Sequence, residues 1–422
     1  MAGFLDILRS GRWLTLGRAR LWALAVLAAS VGGLIYLVAT SDGRMDYQSR
    51  PLGTDFSNVY AAGTYVLERN PAAPFDPRLQ HAREKEIFGA NTPFYGWHYP
   101  PFFLALAAVL ALMPYTLALF VWQAVTLLLY VLAIRAIIAA HFIPPLQGEG
   151  GARSAPGGVV LLLALAFPAV FVNLGHGHNG FLTAALIGLA LVTLDTRPIL
   201  AGVLFGLLAY KPQFGIMIPL VLAATGRWRA FFAAGMTVAA LVAAATLAFG
   251  IETWRAFFTF AEYTRVTVLE TGETGWHKIQ SVFSWARMWG APVPLAYAIQ
   301  GVLSVALAAA LVWLWRAPVS FALKAAAVCL AAILATPYSL DYDLMVLAPA
   351  IAFLAADGLT RGFSPYEKTA LAFLWVVPLI ARSVAQATFV PLGVIGMLVM
   401  FALVMRAAAR DHTLSGVPAA TR

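Results

Sequence analysis

Asp55 stands in the run Gly53-Thr54-Asp55-Phe56, just past the first membrane-length apolar stretch. An ionisable group held at a membrane boundary marks a functional site by default. It suits a base that takes a proton from a hydroxyl. It also suits a helix N-cap, since Asp before Phe56-Ser57-Asn58 is a good capping residue. Asp76 is a second carboxylate of interest, although Asp76-Pro77 is also an ordinary turn pair. Lys211 lies between Tyr210 and Pro212, where two apolar segments meet. Burying it requires an anionic partner such as a phosphate; otherwise the side chain must snorkel to water. Pro212 breaks a helix at this point, and Gln213 adds a hydrogen-bonding group.

A second cluster is Gly175-His176-Gly177-His178-Asn179-Gly180. Its glycines permit close backbone approach, so His176, His178 and Asn179 could contact a ligand or simply build the loop. A metal site would need a third ligand, and no acidic residue is near in sequence. Tyr338, Asp341 and Asp343 follow Pro337. The two acids either complement the dipole of a helix beginning there or bind hydroxyl groups. His98 and Tyr99 precede Pro100-Pro101, as interfacial aromatics or as lining of a site. Arg265, His277 and Lys278 offer further contacts for an anion.

The elements that must position these groups are helices in lipid. Of the 422 residues, 61% are hydrophobic and 11% charged, against roughly 25% charged in soluble proteins. Lipid admits only helices or closed barrels, and long continuous apolar runs select helices. The net charge of +9 does not indicate nucleic acid, because the basic residues sit in short loops between apolar runs, as the positive-inside rule describes. The single cysteine, Cys329, lies inside an apolar run, so there is no disulfide framework. Residues 1–20 carry Arg9, Arg12, Arg18 and Arg20 ahead of an apolar stretch at 21–39, a pattern shared with signal peptides. With further apolar stretches following, it reads as an uncleaved first helix.

Loop 41–99 holds Asp42, Asp46, Asp55, Glu68, Asp76, Glu84 and Glu86, and is too long and too charged for a plain connector. Short surface helices are expected at 55–69 and 77–88. If the N-terminus is cytoplasmic and 100–113 is re-entrant, about 12 transmembrane helices follow. Loops 41–99 and 251–292 then share the outer face with 174–178, 211–212 and 337–342. The chain is expected to be all-α, one integral membrane domain over 1–422. Ionisable groups gathered on one face favour a reaction there; a transporter or flippase would show internal repeats and mid-membrane charges.

Asp55 with Tyr60-Ala61-Ala62-Gly63, Pro74-Phe75-Asp76-Pro77, Tyr99-Pro100-Pro101-Phe102, Gly177-His178-Asn179, Ala201-Gly202, Lys211-Pro212-Gln213 and Thr336-Pro337-Tyr338-Ser339-Leu340-Asp341-Tyr342 form an ordered set. This set resembles glycosyltransferase family 87. Where that family usually shows Gly-Gln before Asn, this chain has Gly177-His178; where it often shows Trp-Asp-His, it has Leu340-Asp341-Tyr342. The resemblance implies a GT-C fold in a bacterial cytoplasmic membrane with the active site facing the periplasm. It implies an inverting transfer of a sugar, often mannose, from a polyprenyl-phosphate donor to a glycolipid or glycan acceptor, with no cofactor. Asp55 matches the family's catalytic base. Under this resemblance Lys211, Gln213, Arg265 and Lys278 are expected at the donor phosphate. Asp76, His98, Tyr99, His176, His178, Asn179, Tyr338 and Asp341 are expected at the sugar or acceptor.

Overall fold

The computed structural model describes residues 2–141 and 154–415. Within them the chain is helical, with isolated β-bridges and no strand. Among the described residues, eight helices are long and apolar enough to cross a membrane: Leu16–Ala39, Tyr115–Ala140, Gly157–His176, Trp228–Phe249, Val293–Arg316, Asp341–Arg361, Glu367–Thr388 and Leu392–Asp411. Four shorter apolar helices accompany them, Gly180–Thr193, Pro198–Tyr210, Pro212–Ala224 and Phe321–Leu334. The chain is therefore a polytopic membrane protein of all-helical class.

Composition decides which helices face lipid and which face protein. Phe321–Leu334 is rich in alanine, so neighbours approach closely, and all of Ala325–Leu334 is buried. In Leu16–Ala39 only Ala19 and Ala23 are buried. Leu247, Met236 and Val302 are exposed large apolar side chains on other peripheral helices. In lipid such surfaces carry no hydrophobic penalty.

Three breaks bring polar groups to one end of the bundle. Pro168 starts the helix Pro168–His176, which stops at Gly177 in the left-handed region (φ +61°). There the His178 N–H reaches back to the Asn173 carbonyl, at 3.0 Å. A Cβ at Gly177 would lie 2.7 Å from Phe56 Cβ, so only glycine lets the 56–67 helix close on this corner. The second break is Lys211, in extended backbone ahead of Pro212. The third is the 3-10 turn Asp341–Val346, which leads into Leu347–Arg361; the helix expected after Pro337 thus opens as a tighter turn.

The loop past the first span folds as expected into short helices, Phe56–Leu67 and Pro77–Phe88. Phe103–Ala111 has 9 residues, a rise of about 14 Å, and cannot cross a core of about 30 Å. Segment 251–292 is largely helical, with Ile251–Thr264, a π turn at Arg265–Glu270 and Val282–Met288.

Candidate functional site

Asp55 sits at the centre of a polar cleft built from these breaks. Gly53 turns the chain with φ +67°. The Asp55 N–H donates to the His176 carbonyl at 2.9 Å. Asp55 occupies the N-cap position of Phe56–Leu67, but its side chain accepts no capping hydrogen bond. The carboxylate is turned elsewhere: Oδ2 lies 3.9 Å from His176 Nδ1, which bonds Thr54 Oγ1 at 2.6 Å. Oδ2 is buried and has no hydrogen-bond partner within the described residues. Burial pushes the Asp55 carboxyl above the usual carboxylate range. His176 draws it back, Asp341 raises it, and Lys211 and Lys278 lower it.

Two further carboxylates face the cleft. Asp341 accepts the Tyr342 N–H at 3.0 Å, and its Oδ2 lies 3.5 Å from Arg382. Asp343 bonds Lys211 Nζ at 2.6 Å, with side-chain exposures of 3% and 7%. An anionic partner for Lys211 is thus supplied by the protein itself. Lys211 also lies over the Tyr342 and Phe214 rings, at 5.4 and 5.6 Å. Ile279 bridges to Leu340, and the Gln280 N–H donates to the Ser339 carbonyl at 2.7 Å. That pairing lays Lys278 alongside the Tyr338–Asp341 segment. The ammonium feels Asp341 and Asp55 as attractive charges and Arg382 as a repulsive one.

Aromatic side chains wall the cleft. His178 stacks on Tyr342 with centroids 3.6 Å apart, and burial holds the imidazole neutral. Tyr99 packs on Trp97 and Phe103, at 5.1 and 4.8 Å. Other buried polar atoms also lack a hydrogen-bond partner within the described residues, among them His178 Nδ1, Asn179 Oδ1, Trp97 Nε1 and Ser339 Oγ. Native proteins leave few such groups, and these four lie on the segments that carry His176, Asp341 and Tyr99. His98 belongs to the rim: it bonds Thr264 Oγ1 at 3.0 Å and packs on Phe260, and burial pushes it down to about 4.

Other expected site residues are engaged differently. Asp76 caps Pro77–Phe88, accepting the Arg78 and Leu79 N–H groups, so the turn reading describes it. Arg265 is paired with Glu262 and Glu270; its guanidinium is neutralised by the protein, not free for a phosphate. Gln213 is half-buried on the turn after Lys211. Among the described residues no three ligating side chains converge as a metal site would need.

The sequence reading missed Arg382 and the placement of Glu84. Arg382 lies in a membrane-length apolar helix, where a charge should itself have drawn attention. Glu84 is fully buried. It accepts from Tyr95 N–H at 3.1 Å, Gly96 N–H at 3.2 Å and Gln80 Nε2 at 3.3 Å. Gln80 Nε2 also donates to the Asn58 carbonyl, at 3.1 Å. The pair ties the Asp55 helix to the segment that carries Trp97.

Burial outweighs the three donors and pushes Glu84 up to about 7. A raised folded value means the native state holds the proton more tightly than the unfolded chain. Stability is then full below the ordinary value of 4.5 and falls as pH rises to about 7. Glu84→Gln should flatten the change of thermal midpoint across that interval, read by intrinsic fluorescence in detergent. A slope as steep as wild type would place the titration on another group.

A multi-pass helical protein with a carboxylate, cations and aromatic walls gathered at one end of its bundle has the make-up of a membrane enzyme acting on a polar group beside lipid. The chain belongs to glycosyltransferase family 87, of the GT-C superfamily: the family model matches residues 97–337, more than half of the chain. It is a membrane glycosyltransferase. The matched region holds His176, His178, Asn179, Lys211 and Lys278, whereas Asp55, Asp341, Asp343 and Arg382 lie outside it. No curated protein and no solved structure matches the chain.

Proposed function

We propose that this glycosyltransferase moves a sugar from a polyprenyl-phosphate donor to a hydroxyl of a lipid- or glycan-linked acceptor, with inversion at the anomeric carbon. The observation that carries the reading is the Asp55 carboxylate, which is turned away from the cap position with Oδ2 buried and unpaired. Burial raises the proton affinity of the Asp55 carboxylate, which makes it a stronger base toward a hydroxyl. Asp55 takes the acceptor proton as the acceptor oxygen bonds to the anomeric carbon. The carbon–phosphate oxygen bond breaks, and its electron pair leaves with the polyprenyl phosphate.

Lys278 and Arg382 are the cations assigned to the leaving phosphate: both lie beside Asp341, and Arg382 meets it only at 3.5 Å with its side chain 43% exposed, whereas Lys211 is buried against Asp343 at 2.6 Å and Arg265 is shared by two glutamates. Fixed cations aimed at developing charge stabilise the transition state. Lys211 then positions the Tyr342 segment. His178, Asn179 and the Trp97–Tyr99 wall are assigned to the sugar, and the family resemblance favours mannose. The same resemblance supports a reaction at the outer face of a bacterial cytoplasmic membrane.

Mass spectrometry of membrane glycolipids, with and without the protein, tests the activity. A lipid or glycan heavier by one hexose only when the protein is present supports the reading, and an unchanged profile overturns it. Arg382→Gln and Lys278→Gln should each lower kcat/KM for the donor by roughly 10²-fold. Unchanged donor kinetics in both variants would move the phosphate site elsewhere.

A further inference from the structure

A second cleft, with a volume of about 760 Å³, runs along the Glu367–Thr388 helix from Lys368, in its first turn, to Leu379. This is within the range of ligand pockets, roughly 300–1,000 Å³. One wall is the Leu16–Ala39 helix, through Ala19, Trp22 and Val26; the other runs along Leu347–Arg361 and from Lys368 to Leu379. Apart from Thr15 and Thr369, the polar side chains lining it are Arg12 and Lys368, and both lie at the same end. Lys368 to Leu379 covers about 16 Å of helix rise, close to half of a hydrocarbon core of about 30 Å. The cleft therefore has the depth of one leaflet and its positive charge at one edge.

The cations are available to a ligand. The nearby carboxylates Asp357 and Glu367 are both taken by Arg361. Lys368 Nζ lies over the Phe363 ring at 5.0 Å. Neither Arg12 nor Lys368 has a carboxylate partner among the described residues. The mouth is also built rather than loose: Trp13 Nε1 donates to Thr369 Oγ1 at 3.0 Å, Thr369 Oγ1 to the Leu8 carbonyl at 2.8 Å, and the Tyr366 N–H to the Arg9 carbonyl at 2.8 Å. These bonds dock the Ala2–Ser10 helix against the start of the Glu367–Thr388 helix.

We infer that this cleft is a binding site for an anionic phospholipid of the leaflet opposite the Asp55 cleft, with its phosphate between Arg12 and Lys368 and an acyl chain along the apolar walls. Such a lipid would fasten the lightly packed Leu16–Ala39 helix to the helix whose far end carries Arg382. The inference rests on the cleft and the membrane helices alone, and does not depend on the identity of the sugar donor.

Native mass spectrometry of the full chain, titrated with dioleoyl phosphatidylglycerol and separately with dioleoyl phosphatidylcholine, tests it. Each basic residue near a charged lipid surface contributes about fivefold in affinity. The double variant Arg12→Gln/Lys368→Gln should therefore bind phosphatidylglycerol about 25-fold more weakly, with phosphatidylcholine binding unchanged. Ala355→Trp fills the apolar half and keeps both cations; it should also lose phosphatidylglycerol. Equal binding of the two lipids to the wild type would overturn the site. So would phosphatidylglycerol affinity surviving in a folded double variant or in Ala355→Trp.

Discussion

Asp55→Asn is expected to lower kcat for sugar transfer by roughly 10²–10⁴-fold, the usual worth of a general base, with thermal stability held or raised. The substitution keeps size and removes charge. No capping bond is lost, because the Asp55 side chain makes none. A cap at this position would instead cost about 0.5–2 kcal/mol on removal to alanine. The sign of the stability change follows from burial. A carboxyl raised above its ordinary value of 3.8 contributes full stability only below that value and loses it as pH rises through the folded value. The neutral amide therefore avoids the burial cost that falls on the charged form of the native carboxyl.

The same raised value sets the acid limb of the wild-type pH profile: kcat/KM should fall with decreasing pH through a point above the usual carboxylate range. Paired measurements of turnover and melting separate base from cap. Lost activity with an intact midpoint supports the base, and full turnover in Asp55→Asn removes Asp55 from the reaction.

Lys211→Met is the second large effect, and it falls on stability. Removing one partner of a buried ion pair strands the other charge and costs about 3–5 kcal/mol. Here the stranded group is Asp343, 2.6 Å from Nζ and almost without solvent contact. Asp343 also accepts the Leu340 N–H at 2.9 Å, which holds the turn beside Asp341. Lys211→Met/Asp343→Leu should recover most of the loss, since a buried pair replaced by apolar groups of similar volume is often neutral. Denaturation followed by tryptophan fluorescence in detergent measures both variants. If Lys211 instead held the donor phosphate, Lys211→Met would melt like wild type and raise the donor KM.

Hydropathy, read along the chain, was enough for the class of fold, because the cost of an unpaired backbone group in lipid leaves few alternatives. It also placed the two short helices after the first span and the break at Lys211-Pro212, since proline acts on its immediate neighbours. Asp55 was legible for a similar reason: a charge at the end of an apolar run is conspicuous wherever the chain later goes.

Pairing was not legible. Lys211 announced a need for an anion, but Asp343 is separated from it by 132 positions and meets it only when the breaks at both residues reach the same end of the bundle. Arg382 looked like one more residue of a spanning helix until Asp341 was found 3.5 Å away. Glu84 looked like a surface acid until it was found accepting bonds beneath the Trp97 segment.

For Asp55 itself, residue type left base and cap equally open, and only the family resemblance favoured the base. Tertiary structure removed the cap through the direction of one side chain, and the base is the role proposed for what remains. The Asp55 N–H is bonded to His176, and the carboxylate faces a cleft whose other charges come from helices more than a hundred residues away. Local propensity acts within a few residues along the chain, whereas the field at a carboxylate is set by whatever the fold brings within a few ångströms.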